Sequence, residues 1–204
     1  MQAKICGIKN VNNLRYILNH KYPPSFIGFI FNYPKSKRNL NLWELTKLLN
    51  LRRNHKINFV SVLVNPSDII LNKVLKYNFD YLQLYNVNPE RTKFIKKKYK
   101  IKIISAITVG SLKDIYSCNL YRRISDIILF DSKGYEKSLG FDHKLLENIP
   151  NDTKRMLAGN IKYNENLEKF KYISDIIDIS GSLESQGEKD NKKINNFLNN
   201  IYRV

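Results

Sequence analysis

The chain has 204 residues, of which 43% are hydrophobic and 12% aromatic; this is enough to bury a core, so global disorder is excluded. Lys and Arg outnumber Asp and Glu by 35 to 18, a net charge of +17, and no apolar run approaches the roughly 18–20 residues of a bilayer span. Cys6 and Cys118 make neither a CxxC pair nor a disulfide framework, and the N-terminus has no apolar signal segment, so the chain reads as a soluble, cytoplasmic, single domain over residues 1–204.

In chain order, β-rich apolar runs occur at Ala3–Cys6, Phe26–Phe31, Ile57–Val64 and Tyr81–Leu84. They continue at Ile101–Ile107, Asp126–Phe130, Arg155–Ala158 and Asp175–Ile179. Between them lie segments with helical spacing: Leu14/Ile17/Leu18, Leu42/Leu45/Leu48/Leu49, Ile70/Val74/Leu75 and Phe94/Ile95. The later ones are Leu112/Ile115, Leu145/Leu146, Leu167/Phe170 and Ile194/Phe197/Leu198/Ile201, of which the fifth and seventh are short and weakly patterned. Short apolar runs alternating with 3.6-period segments indicate βαβ units around a parallel sheet. Eight such units in about 200 residues sit at the lower limit of a (βα)8 TIM barrel. The competing doubly wound sheet would open on a GxGxxG turn, which Cys6-Gly7-Ile8-Lys9-Asn10 is not. The expected fold is an α/β, single-domain (βα)8 barrel.

The excess charge is mostly lysine, densest at Lys93, Lys96, Lys97, Lys98, Lys100 and Lys102 and again at Lys189, Lys192 and Lys193. Neither cluster is interleaved with an RNP-type aromatic pattern or a Cys/His finger spacing. These lysines are expected on solvated helix faces outside the barrel, with no specific nucleic-acid partner and no membrane partner.

Active sites of this fold lie at the C-terminal ends of the strands. There the sequence offers Cys6 after strand 1, Ser36 and Arg38 after strand 2, Gln83 in strand 4 and Asp131 after strand 6. Gly159-Asn160 follows strand 7, and Ser180-Gly181-Ser182 follows strand 8. Backbone N–H groups of those two loops commonly hold phosphate in this fold, so Gly159, Asn160, Gly181 and Ser182 are the expected phosphate site. No His among His20, His55 and His143 falls at a strand end, and no metal, Walker or Rossmann motif is present. The expected chemistry is therefore proton transfer without cofactor or metal, by a thiol and a carboxyl whose environments separate their pKa values.

Lys4-Ile5-Cys6-Gly7-Ile8 resembles the opening signature of the phosphoribosylanthranilate isomerases. Phe29-Ile30-Phe31…Ser36-Lys37-Arg38, Val64-Asn65, Leu82-Gln83-Leu84, Leu129-Phe130-Asp131 and Leu157-Ala158-Gly159 resemble further motifs of that family, in family order. So does Asp178-Ile179-Ser180-Gly181-Ser182-Leu183-Glu184…Gly187…Lys189-Asp190 at the end of the chain. The resemblance implies isomerisation of N-(5-phosphoribosyl)anthranilate in tryptophan biosynthesis, with a phosphorylated small molecule as the partner; the chain is expected to act as a monomer. It implies Cys6 as general base, Asp131 as general acid, and Arg38 and Gln83 as substrate contacts, Arg38 facing the anthranilate carboxylate. The chain departs from the family's usual pattern at Tyr85-Asn86, where His-Gly is common, and in a glycine-poor loop after Asp131 that keeps only Gly134 and Gly140. It departs again at Gly159-Asn160 and at Ser180-Gly181-Ser182. Two alternatives stay open on the residues themselves: another phosphosugar-binding barrel isomerase, and a basic nucleic-acid-binding protein on the same scaffold.

Overall fold

Eight parallel strands close on themselves in the computed structural model, which describes residues 1–133, 139–150 and 152–204. The strands are β1 (Gln2–Cys6), β2 (Phe26–Phe31), β3 (Asn58–Val64), β4 (Tyr81–Tyr85), β5 (Lys102–Val109), β6 (Ile127–Ser132), β7 (Arg155–Leu157) and β8 (Ile176–Ile179). Each pairs with the next in sequence, and β8 pairs back onto β1 with Lys4 opposite Asp178. The expected (βα)8 barrel is therefore present, with strand bounds within two residues of those read from the apolar runs.

The runs are continuously apolar because both faces of each strand are covered, as in parallel sheets generally. Alternate residues point to opposite faces. Cys6, Phe26, Val60, Val62, Tyr81, Ile104, Leu129 and Met156 pack together inside the barrel. Ala3, Ile5, Ile27, Phe29, Leu82, Leu84, Ile128 and Phe130 point outward into the layer under the helices. The same parity turns Lys4, Gln83, Tyr85, Asp131 and Asp178 toward the barrel axis. A periodicity of two thus decides which polar groups can meet.

Among the described residues, six α-helices surround the strands: α1 (Val11–Leu18), α2 (Leu42–Leu49), α3 (Asp68–Val74), α4 (Pro89–Tyr99), α5 (Leu112–Tyr116) and α6 (Asn191–Arg203). Their starts are marked in the sequence: Asn41 and Glu44 form a reciprocal capping box on α2, and Asn88 caps α4 with Pro89 in its first turn. Eight helical segments were expected, but the sixth and seventh are only 3-10 turns, His143–Asn148 and Leu167–Phe170. Each of those segments carries a single apolar turn. A 3-10 turn eclipses residues three apart, so Leu167 and Phe170 are buried together without a full α-helix.

Lys93, Lys96, Lys97 and Lys98 lie on α4, outside the barrel, and Lys102 opens β5. Lys189, expected with Lys192 and Lys193 on a solvated helix face, is instead buried, because its ammonium is drawn in to Glu184 and Ser180. Lys96 pairs with Asp126 at 2.9 Å and Lys98 with Asp68 at 3.3 Å, and Lys97 is exposed. Among the described residues, no helix is long and apolar enough to cross a membrane.

Candidate active site

A cavity of about 630 Å³ opens at the C-terminal ends of the strands. Cys6, Arg38, Asp131, Gly159, Asn160, Gly181 and Ser182, all expected from sequence, line it. Gly134 lies outside the described residues.

Cys6 ends β1 with its side chain inward, opposite Gly28 of β2. A Cβ on Gly28 would come within 2.8 Å of Cys6 Sγ and 3.3 Å of Lys4 Nζ, so the missing side chain creates the space for both. Beneath Cys6, Lys4 is fully buried with Nζ 2.6 Å from Asp178 Oδ2. Burial works against the Lys4 charge, but Asp178 and then Cys6 outweigh it and hold the ammonium above its ordinary pKa. Burial pushes the Cys6 thiol up, and Lys4 pulls the other way. Lys4 is thus the larger of two positive charges, with Lys189, that favour a thiolate in an otherwise dehydrating position.

Asp131 ends β6 on the same inward parity. Its Oδ1 accepts the Ser132 backbone N–H at 2.8 Å and its Oδ2 accepts the Tyr85 hydroxyl at 2.9 Å. Burial pushes its pKa up to about 6, against the lowering effect of the Tyr85 hydrogen bond. A carboxyl raised in this way keeps a protonated fraction near neutrality, as a general acid must.

Gln83 occupies the layer below Tyr85 on β4 and is fully buried. It does not line the cavity; its Nε2 donates to Tyr85 Oη at 3.2 Å, so it reaches the site only through the tyrosine. Gln83, which the resemblance implies as a substrate contact, shares its inward parity with Tyr85, which stands one layer nearer the mouth and covers it.

Arg38 is brought inward by a two-residue strand, Asn39–Leu40, that pairs with the end of β2. Its Nε and Nη2 donate to Glu184 at 2.5 and 2.8 Å. Glu184 also accepts from Lys189 Nζ at 2.7 Å, and Lys189 donates to the Ser180 carbonyl at 3.0 Å. The Ser180 hydroxyl in turn donates to the Cys6 carbonyl at 2.9 Å. A hydrogen-bonded line therefore runs from Arg38 to the backbone of Cys6. The Glu184…Lys189 spacing was visible in the sequence, but its task of holding Arg38 was not.

The glycine turns have two uses. Gly159 has φ +91°, and a Cβ there would sit 2.8 Å from the Ser132 backbone nitrogen, so no other residue fits. Gly159→Ala should lower the unfolding free energy by about 1–3 kcal/mol, read from urea denaturation, because backbone cannot move aside as a side chain can. Gly181 opens a single 3-10 turn, Gly181–Leu183, and also leaves room for Arg38 Nη2, which would lie 3.2 Å from an added Cβ. The Ser182 hydroxyl accepts the Tyr163 backbone N–H at 2.7 Å, while Asn160 Oδ1 accepts from Lys162 Nζ at 3.0 Å. Lys162 lines the cavity beside these turns and adds a cation that the reading of the strand ends had not included. Among the described residues, no group of three or more His, Cys, Asp or Glu is arranged to hold a metal ion.

Fold and site together define a (βα)8-barrel enzyme with a thiol, a carboxyl, an arginine and two glycine turns lining one mouth. A family model described as N-(5'phosphoribosyl)anthranilate (PRA) isomerase matches residues 3–200. The chain belongs to this family. An N-(5'-phosphoribosyl)anthranilate isomerase of Clostridium kluyveri is 30% identical over 100% of this chain and 99% of its own length. One from Brucella canis is 31% identical over 97% and 92%. Among solved structures, the phosphoribosylanthranilate isomerase of Thermotoga maritima superposes with a TM-score of 0.86 at 22% identity, covering 100% of both chains. Another structure of such an isomerase, with TM-score 0.84, 23% identity and full coverage of both chains, was determined in complex with reduced 1-(o-carboxyphenylamino)-1-deoxyribulose 5-phosphate.

Proposed function

We propose that this chain isomerises N-(5-phosphoribosyl)anthranilate to 1-(2-carboxyphenylamino)-1-deoxyribulose 5-phosphate in tryptophan biosynthesis, with Asp131 as general acid and Cys6 as general base. Asp131 gives its proton to the furanose ring oxygen as the C1′–O bond breaks, leaving a protonated Schiff base. Cys6 thiolate takes the C2′ proton, and the electron pair left behind flows toward the iminium nitrogen to give an enolamine. Protonation at C1′ together with loss of the C2′ hydroxyl proton then gives the ketone, so protons are only moved and no electrons are gained or lost overall. Arg38 faces the anthranilate carboxylate, and the phosphate rests on the N–H groups of Gly159, Asn160, Gly181 and Ser182 with Lys162 beside them. The substrate is a free small molecule, and the reading needs one chain, acting as a monomer in the cytoplasm.

The observation that supports this reading best is the convergence of Cys6 and Asp131 on one cavity from β1 and β6 in a chain of this family. Turnover of N-(5-phosphoribosyl)anthranilate by the purified protein, followed as loss of substrate fluorescence, tests it; no turnover above the buffer rate would overturn it. Rescue of a tryptophan auxotroph lacking this step is the matching test in cells.

The pKa directions also predict the pH profile. The reactive form needs Asp131 protonated and Cys6 ionised, yet Asp131 titrates near 6 and burial sets Cys6 higher. Below about pH 6 both are protonated, so the reactive fraction rises tenfold per unit as the thiolate forms. Above it, loss of the Asp131 proton cancels the further gain of thiolate, and the profile is flat until Cys6 itself titrates. The acid-side break in kcat/KM therefore belongs to Asp131. A profile still rising steeply from pH 7 to 8 would contradict this order.

A further inference from the structure

Tyr85 stands where the family commonly has histidine, and none of the roles above uses it. Its ring lines the cavity between Val64 of β3 and Thr108 of β5. Its hydroxyl lies 2.9 Å from Asp131 Oδ2, and Gln83 Nε2 lies 3.2 Å from the same hydroxyl. Gln83 donates to Tyr85 Oη, so the phenolic proton is left to point at Asp131. The order of donation is Gln83 to Tyr85 to Asp131.

We propose that Tyr85 is the positioning residue of the acid: its hydroxyl orients the Asp131 carboxyl and stabilises the carboxylate that forms as the proton leaves. This rests on the reading of Asp131 as general acid. The geometry leaves little choice about orientation. Oδ1 is fixed by the Ser132 N–H and Oδ2 by Tyr85, so the carboxyl plane is held at both oxygens. A donor at Oδ2 favours the ionised state over the protonated one, and its contribution therefore grows as the proton moves to the substrate.

Besides Tyr85, the ionisable groups acting on Asp131 are Asp178 of β8 and Lys4 of β1, while Cys6 of β1 acts on Tyr85, and Thr108 is the register partner of Asp131 on β5. Asp178 opposes ionisation of Asp131 and Lys4 favours it, so the paired ions partly cancel. The tyrosine hydrogen bond is the first influence after burial. Burial, and then Asp131, hold the phenol well above its ordinary range, so Tyr85 remains a neutral donor across the working pH.

Tyr85→Phe removes the hydroxyl and keeps the ring, so packing is preserved and folding can be checked by circular dichroism. Removing a donor from a charged carboxylate takes away stabilisation of its ionised form, so the Asp131 pKa should rise by about one unit or more. Carbon-13 NMR titration of labelled aspartate, with the Asp131 signal assigned by its loss in Asp131→Asn, reads this without any turnover. The acid-side break in kcat/KM should move up by the same amount, and on the limb below the break, where Asp131 is already protonated, kcat should fall about tenfold with KM little changed. Gln83→Leu, which loosens Tyr85 without touching Asp131, should move the break in the same direction by less.

An unmoved Asp131 titration together with an unmoved break in Tyr85→Phe would overturn the proposal and leave the acid assignment standing. Full turnover in Asp131→Asn would instead remove the acid assignment, and with it the catalytic meaning of the tyrosine. A KM change alone, with the break in place, would make Tyr85 a substrate contact and also overturn the proposal.

Discussion

Cys6→Ser and Asp131→Asn should each lower kcat by about 10²–10⁴, the cost of removing one positioned acid or base. Serine keeps the size of the side chain but its hydroxyl is far too weakly acidic to supply an anion in a site that already pushes the Cys6 thiol up by burial. Asparagine keeps the size of the side chain and can still accept the Ser132 N–H on its oxygen, but it has no acidic proton to give. Cys118, buried on the 3-10 turn Ser117–Leu120 and away from the cavity, provides the control, and Cys118→Ser should leave turnover nearly unchanged. The measurement is steady-state turnover, with circular dichroism confirming the fold. A folded Cys6→Ser or Asp131→Asn protein with more than about a tenth of wild-type kcat would refute the assignment of that residue.

Lys4→Met should cost about 3–5 kcal/mol of stability near neutral pH, because it leaves the Asp178 carboxylate buried without its counter-ion. Both side chains of the pair are almost wholly sealed from solvent, so water screens little of the loss. For a chain of this length, that corresponds to a fall in Tm of about 6–20 °C.

The deficit should depend on pH in a definite direction. Without Lys4, burial raises the folded-state pKa of Asp178 above its unfolded value of about 3.9, so the folded state binds more protons. The penalty is then absent below about pH 4 and grows as the pH rises through the folded pKa. Urea denaturation at pH 5 and pH 8 checks this: the gap from wild type must be wider at pH 8. A gap independent of pH would show that lost packing of the lysine stem, not the unpaired carboxylate, is the cause. The same substitution removes the cation beside Cys6, so it should also lower kcat.

The charge and the mouth chemistry occupy different parts of the molecule. Lys96, Lys97 and Lys98 sit on the outer helix α4, whereas the cavity has Arg38 and Lys162 as its lining cations. Arg38 is already bidentate with Glu184, which fixes its plane before any substrate arrives. That preorganisation lessens the side-chain ordering that binding would otherwise require.

The amino-acid sequence by itself determined the eight strands and their order, because strands covered on both faces must be apolar throughout and βαβ connections leave one route round the sheet. It also determined that Cys6 and Asp131 stand at strand ends, and that glycines follow β7 and β8. Of the two segments read as weak, the seventh is a 3-10 turn and the fifth a short α-helix, while the sixth, not marked as weak, is also a 3-10 turn, since one apolar turn is compatible with either helix. Only closure of the barrel decided which inward residues meet. Lys4 and Asp178 are 174 positions apart in the chain and touch because β8 returns to β1 in that register. Tyr85 and Asp131 belong to strands that do not pair, and they meet across the interior because both are inward-facing at the same height. Local pattern reports a residue's strand and face; the partner across the axis depends on strand stagger, which is set by the packing of the whole ring.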